Sequence, residues 1–168
     1  MIPVVVVSKY DTCTVHPGEL YFGTAYTHIR TLLGSCVAVT AWHPKLKVGG
    51  LCHYLLTEPK QKNASTQGKI SARDYRYAQN ALLEMRLAML RVSNPKEFQI
   101  GLFGGGDMFA YSGPTSIGSD NIAYAREWLI QEDLKPCRVD VGGAISRSLT
   151  MVMTSGEIQV KHYQMSAD

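Results

Sequence analysis

No apolar run in the 168 residues approaches the ~18 that a membrane-spanning helix requires, so no membrane insertion is expected. Basic clusters are missing too. Lys and Arg total 17 against 14 Asp and Glu, and no basic-aromatic interleaving marks a groove for nucleic acid. The four cysteines, Cys13, Cys36, Cys52 and Cys137, are widely spread, with no C-x-x-C and no H-x-x-x-H spacing. That argues against a metal site, and with no secretory signal it favours reduced thiols in a cytoplasm. Neither G-x-G-x-x-G nor G-x-x-x-x-G-K occurs, so the triple glycine Gly104–Gly105–Gly106 reads as tight turn and close packing rather than a phosphate cradle. Phe103 and Asp107 beside it are weaker candidates for lining a cleft, and no cofactor is implied.

What is present fits one globular domain over residues 1–168: 45% of residues are hydrophobic and 18% charged, enough to bury a core without staples. The opening "MIPVVVVSKY" lacks a basic leader and a small-residue cleavage site, and is expected to be a first strand. Helical spacing runs from Asp74 to Leu90 and again from Asp120 to Ile130, with Asp120 as the expected N-cap. Short β-like runs follow in "CVAVTAW", "KVGGLCHYLL", "FQIGLFGG", "CRVDVGG", "SLTMVMT" and "EIQVKHY", the last two joined by a hairpin turn at "TSGEIQV". This pattern predicts an α+β fold, a layered α/β sandwich with largely antiparallel strands and two main helices. The polar stretch Thr57 to Ala72 suits either a substrate-facing flap or an ordinary surface loop.

Chemistry concentrates in "TLLGSCVAVTAWHPKLKVGGLCHYLL", Thr31 to Leu56. A hairpin with the four-residue loop His43–Leu46 would pair Trp42 with Lys47 and therefore Cys36 with His53, bringing thiol and imidazole together. A one-residue slip would set Cys36 against Cys52 instead. A cysteine beside a histidine can form a thiolate–imidazolium pair that attacks an acyl carbon, with reactivity below the ordinary thiol pKa of roughly 8.5. Gly34 and Ser35, just before Cys36, are candidates for backbone that approaches a substrate and stabilises an oxyanion. On the residues alone, two core side chains remain the alternative. His16, His28, His43 and His162 show no partner in sequence, and Cys13, Cys52 and Cys137 read as small buried hydrophobes.

At these residues the sequence resembles the CheD family of bacterial chemotaxis. The likeness rests on Thr-x-Leu-Gly-Ser-Cys-Val at Thr31–Val37, on Gly49 to His53, and on "LFGGGDMF", "IGSDNI", "DVGGAISR" and "TSGEIQVKH" downstream. It implies a cysteine hydrolase that converts glutamines of methyl-accepting chemotaxis receptors to glutamate, with Cys36 as nucleophile, His53 as general acid/base and Thr31 orienting the histidine. It also implies a CheC-type phosphatase as a second partner. The other readings are an adaptor that binds receptors and the phosphatase with little or no chemistry, an amidase or esterase of small molecules, and a receptor methylesterase using the same thiol.

Overall fold

The computed structural model describes residues 11–59, 70–108 and 116–164. Nine strands are present among them: β1 (Thr12–Thr14), β2 (Leu20–Gly23), β3 (His28–Leu33), β4 (Val37–Trp42), β5 (Gly49–Tyr54), β6 (Gln99–Gly104), β7 (Arg138–Val141), β8 (Ile145–Val152) and β9 (Ile158–Gln164). Two α-helices, α1 (Ala78–Leu90) and α2 (Ile117–Gln131), are inserted between them. The strands form a four-stranded sheet, β1-β3-β8-β9, and a five-stranded sheet, β2-β5-β4-β6-β7. Only β1/β3 and β6/β7 pair in parallel, so the architecture is the expected α+β one with mostly antiparallel strands.

Two cores define the layers. Val37, Val39, Ala41, Cys52 and Tyr54 pack against the helices through Ala81, Leu82, Met85, Ala125 and Leu129. Ala38, Leu51 and Phe103, from the other face of the same sheet, meet Ile29, Leu33, Leu149 and Met151 of the four-stranded sheet. Helices, five-stranded sheet and four-stranded sheet therefore stack in that order. Covered on both faces, β4 and β5 are buried throughout, whereas β8 alternates buried and partly exposed residues because its sheet has one open face.

Several expectations change. The strand expected at "PVVVVS" and most of the loop Thr57–Ala72 lie outside the described residues. Strands β1, β2 and β3 carry no strong sequence signal, being short or interrupted by polar residues. Helix α1 starts at Ala78 rather than Asp74: the Arg76 carbonyl accepts the N–H groups of Leu55 and Leu56, and Ala78 N–H donates to Leu56, so residues 76–78 pair with the end of β5 before the helix begins. In α2 the N-cap is Ser116, in a reciprocal capping box with Ser119, and Asp120 sits in the first turn, where its charge complements the helix dipole.

The β4–β5 register also differs from the one expected. Trp42 pairs with Gly49 and Ala38 with His53. The loop is shifted by one residue because His43 closes it rather than belonging to it. Its N–H donates to the Val48 carbonyl and its Nδ1 accepts from the Lys45 and Leu46 N–H groups, while Lys47 adopts the left-handed conformation (φ 52°) that returns the chain to the sheet. Gly50 has no room for a Cβ, which would run into the Tyr21 carbonyl of β2.

The two sheets are clamped at one end by Arg147 of β8, 2 % exposed, whose Nε donates to Asp140 of β7 at 2.9 Å and whose terminal nitrogen donates to the Gly142 carbonyl at 2.6 Å. His162 of β9 reaches the same carboxylate at 2.8 Å. Arg147→Ala strands this charge and the carbonyl, and is expected to cost about 3 kcal/mol of stability, read from the denaturation midpoint. A loss within about 0.5 kcal/mol, the range of ordinary surface changes, would contradict the clamp.

Candidate active site

Cys36 lies on the turn Gly34–Ser35–Cys36, where the chain passes from β3 in one sheet to β4 in the other. The Gly106 N–H donates to the Gly34 carbonyl at 2.9 Å and the Gly105 N–H to the Cys36 carbonyl at 2.8 Å. Gly104 must be glycine twice over, since its φ is 101° and a Cβ there would strike the Cys36 carbonyl. The triple glycine thus serves close packing against the cysteine turn. The half-buried Cys36 side chain packs on the core between the sheets.

His53 is 1 % exposed, and its ring crosses from β5 to β3, where Nδ1 lies 2.7 Å from Thr31 Oγ1. Thr31 has one hydroxyl proton, and it donates that proton to the Val15 carbonyl at 2.6 Å. Its oxygen therefore accepts from His53, which places the imidazole proton on Nδ1 and leaves Nε2 with a free lone pair. Among the described residues Nε2 is buried and has no partner. An orphaned buried nitrogen of this kind costs stability.

The sequence register set Cys36 directly opposite His53; in the structure Ala38 occupies that place. Cys36 lies two residues before Ala38, just ahead of β4, so the side-chain alternation returns it to the face His53 uses, at a diagonal position. Cys52 belongs to the helix-facing core, as expected of the residue beside His53, and burial pushes its thiol up to about 12.

Burial of the two groups works against the expected ion pair. Burial pushes the Cys36 thiol up, with its own N–H, facing the sulfur, pulling the other way. Burial lowers the His53 imidazole to about 4, against the upward pull of the Val15 carbonyl and the Glu19 carboxylate. Both shifts favour the neutral forms of thiol and imidazole, which leaves the Nε2 lone pair of His53 open to a proton.

Other residues singled out in sequence fall elsewhere. Phe103 is buried between the sheets, and Asp107 is exposed, its N–H donating to the Gly143 carbonyl. His43 is buried against Phe98 and contacts Glu97; Cys137 is exposed rather than buried. Among the described residues no cluster of His, Cys, Asp and Glu is arranged to hold a metal. One residue of the site was missed: Asn121 of α2, whose Nδ2 donates to the Ser35 and Leu55 carbonyls at 3.2 and 2.8 Å. The available signal was an asparagine on the helix stripe it shares with Ala125 and Trp128.

Residues 56–162 match the family model described as CheD chemotactic sensory transduction. The chain belongs to the CheD family. The matched segment begins just beyond His53, but similarity to individual members includes the Cys–His region's end of the chain, covering about nine-tenths of it. The chain is 37% identical over 156 residues to the probable chemoreceptor glutamine deamidase CheD 3 of Dechloromonas aromatica, covering 90% of this chain and 87% of that protein. It is 38% identical to the probable chemoreceptor glutamine deamidase CheD 1 of Chromobacterium violaceum, over 89% of this chain and 77% of that one. The CheD of Pseudomonas syringae pv. syringae, also named a probable chemoreceptor glutamine deamidase, is 35% identical over 90% of this chain and 84% of its own length. Among the described residues no helix is long and apolar enough to cross a membrane.

Proposed function

We propose that this CheD protein is a chemoreceptor glutamine deamidase, with Cys36 as nucleophile, His53 as base and acid, and Thr31 holding the histidine. The single observation that carries this reading is the fixed tautomer of His53, whose unpartnered Nε2 shares a sheet face with the Cys36 thiol. As Sγ attacks the glutamine Cδ, Nε2 takes the thiol proton and the carbonyl oxygen becomes an oxyanion. The imidazolium then gives its proton to the amide nitrogen, the C–N bond breaks, and ammonia leaves a thioester on Cys36. Water, deprotonated by Nε2, attacks that thioester; the C–S bond breaks, the thiol regains its proton, and the product is glutamate.

The receptor substrate is carried over from the relatives' names, and with it a cytoplasmic location, where receptor signalling segments lie. A CheC-type phosphatase is the second partner in this reading, supported by resemblance alone. The pairing of β3 with β8, from opposite ends of the chain, supports residues 1–168 acting as one domain.

The test is mass spectrometry of receptor cytoplasmic fragments incubated with the protein, where each Gln-to-Glu conversion adds roughly one dalton. Gains at discrete glutamines are expected. Binding without any gain would favour the adaptor. Thr31→Val keeps the side-chain shape but removes the acceptor for Nδ1–H. It is expected to lower kcat about tenfold, the worth of one hydrogen bond of about 1.4 kcal/mol, while Thr31→Ser restores most of it. Equal activity in Thr31→Val would separate Thr31 from the mechanism.

A further inference from the structure

The turn that bears Cys36 and the strand that bears His53 lose their backbone pairing at the site itself. The last ladder pair between β4 and β5 is Val37–Tyr54. One step further, Leu55 turns its N–H to the Arg76 carbonyl, so nothing in the ladder holds it to the cysteine turn. Asn121 fills that gap from α2. Its Nδ2 donates to the Ser35 carbonyl at 3.2 Å and to the Leu55 carbonyl at 2.8 Å, and its own backbone carbonyl accepts the Tyr54 hydroxyl. Two carbonyl acceptors on one side decide which end of the amide is nitrogen. The side chain is 1 % exposed, and its Oδ1 is buried without a partner among the described residues, so the amide is retained there at a cost.

Pinning the Ser35 carbonyl has a consequence on the far side of the same peptide. The Ser35–Cys36 bond is trans and planar, so its C=O and N–H point in opposite directions. With the carbonyl drawn toward α2, the Cys36 N–H is turned to the inter-sheet side, and it faces the sulfur. Among the described residues no backbone carbonyl accepts that N–H. The Gly34 and Cys36 carbonyls on either side are fixed by Gly106 and Gly105, so the three consecutive peptides cannot rotate together.

We propose that Asn121 is a positioning residue: by holding the Ser35 and Leu55 carbonyls it aims the Cys36 N–H at the oxyanion that forms on the substrate carbonyl. This rests on the deamidase reading above. An N–H aimed in this way acts on the tetrahedral intermediate and not on the ground state, so its loss lowers kcat rather than raising KM. Alkylation of Cys36 passes through no oxyanion and feels that N–H only through the sulfur it faces, so it should change far less than kcat.

The experiment compares the full-length wild type, Asn121→Ala and Asn121→Asp, the last keeping the shape but, when ionised, no donor. Each is measured for kcat and KM on a receptor fragment and for the rate of Cys36 alkylation by iodoacetamide, with thermal unfolding as the check on folding. Both variants are expected to lose about 10²-fold in kcat, with KM and alkylation rate within about threefold of wild type. If Asn121→Ala fails to fold, Asn121→Asp carries the comparison. An unchanged kcat overturns the inference, and so does a parallel fall in kcat and alkylation, which would mean general damage to the Cys36–His53 pair. A wild type that alkylates normally but releases no ammonia brings down the deamidase reading and this inference with it.

Discussion

Cys36→Ala is expected to abolish ammonia release from receptor fragments, with kcat down by at least about 10⁴-fold, because no other group in the site can form the thioester. Cys52, the other cysteine near His53, lies on the opposite sheet face, with its thiol held up near 12 by burial. It cannot substitute. The fold should tolerate the change, since Cys36 is only half-buried and its turn is held through its carbonyls rather than its side chain. Activity above about a thousandth of wild type in a Cys36→Ala preparation of normal stability would place the nucleophile elsewhere.

His53→Gln is expected to lower kcat by about 10³-fold, the worth of a positioned general base. It should also change how stability responds to pH. Above about 6.5 the histidine is neutral in both folded and unfolded chains and contributes no pH dependence. As pH falls below that value the unfolded chain takes up the proton, while the folded chain refuses it until about 4. The wild type should therefore lose roughly 3 kcal/mol between those two pH values, and the loss should be missing in His53→Gln. The same shift places the acid limb of kcat/KM for the wild type near 4 rather than 6.5. Parallel pH–stability curves for the two proteins would contradict a buried neutral imidazole.

The sequence put the Cys36 and His53 side chains on one sheet face, but through a mistaken register. The four-residue loop was anticipated; His43 as its closing residue was not, because an imidazole accepting two backbone N–H groups leaves no mark on apolar spacing. The error displaced both strands by one residue, which moves the pairing by two and so preserves the face. That is why Cys36 and His53 still share the inter-sheet side, and why Cys52 does not.

The ionisation of the pair was less legible. A thiol and an imidazole brought together by the expected register suggest an ion pair, but burial works against it, and that burial depends on β3 lying over His53 through Thr31, 22 residues away in the chain. Strand β3 alternates regularly, Ile29, Thr31 and Leu33 inward and Arg30 and Leu32 outward, but with a polar Thr31 inside and an apolar Leu32 outside the pattern is blurred in the sequence. The role of Asn121 was hidden for a similar reason, since α2 was legible as a helix while its contacts with Ser35 and Leu55 span 86 and 66 residues.

The central claim is a covalent thioester on Cys36 formed by a neutral thiol with His53 as base. Rapid acid quench of the wild type with a glutamine-bearing receptor peptide, followed by peptide mapping, reads it directly. The expected result is a transient adduct on the Cys36 peptide equal to the receptor peptide less one ammonia, removed by hydroxylamine and missing in Cys36→Ala. Receptor deamidation that proceeds at full rate with no such adduct at any quench time, and that survives in Cys36→Ala, would contradict it.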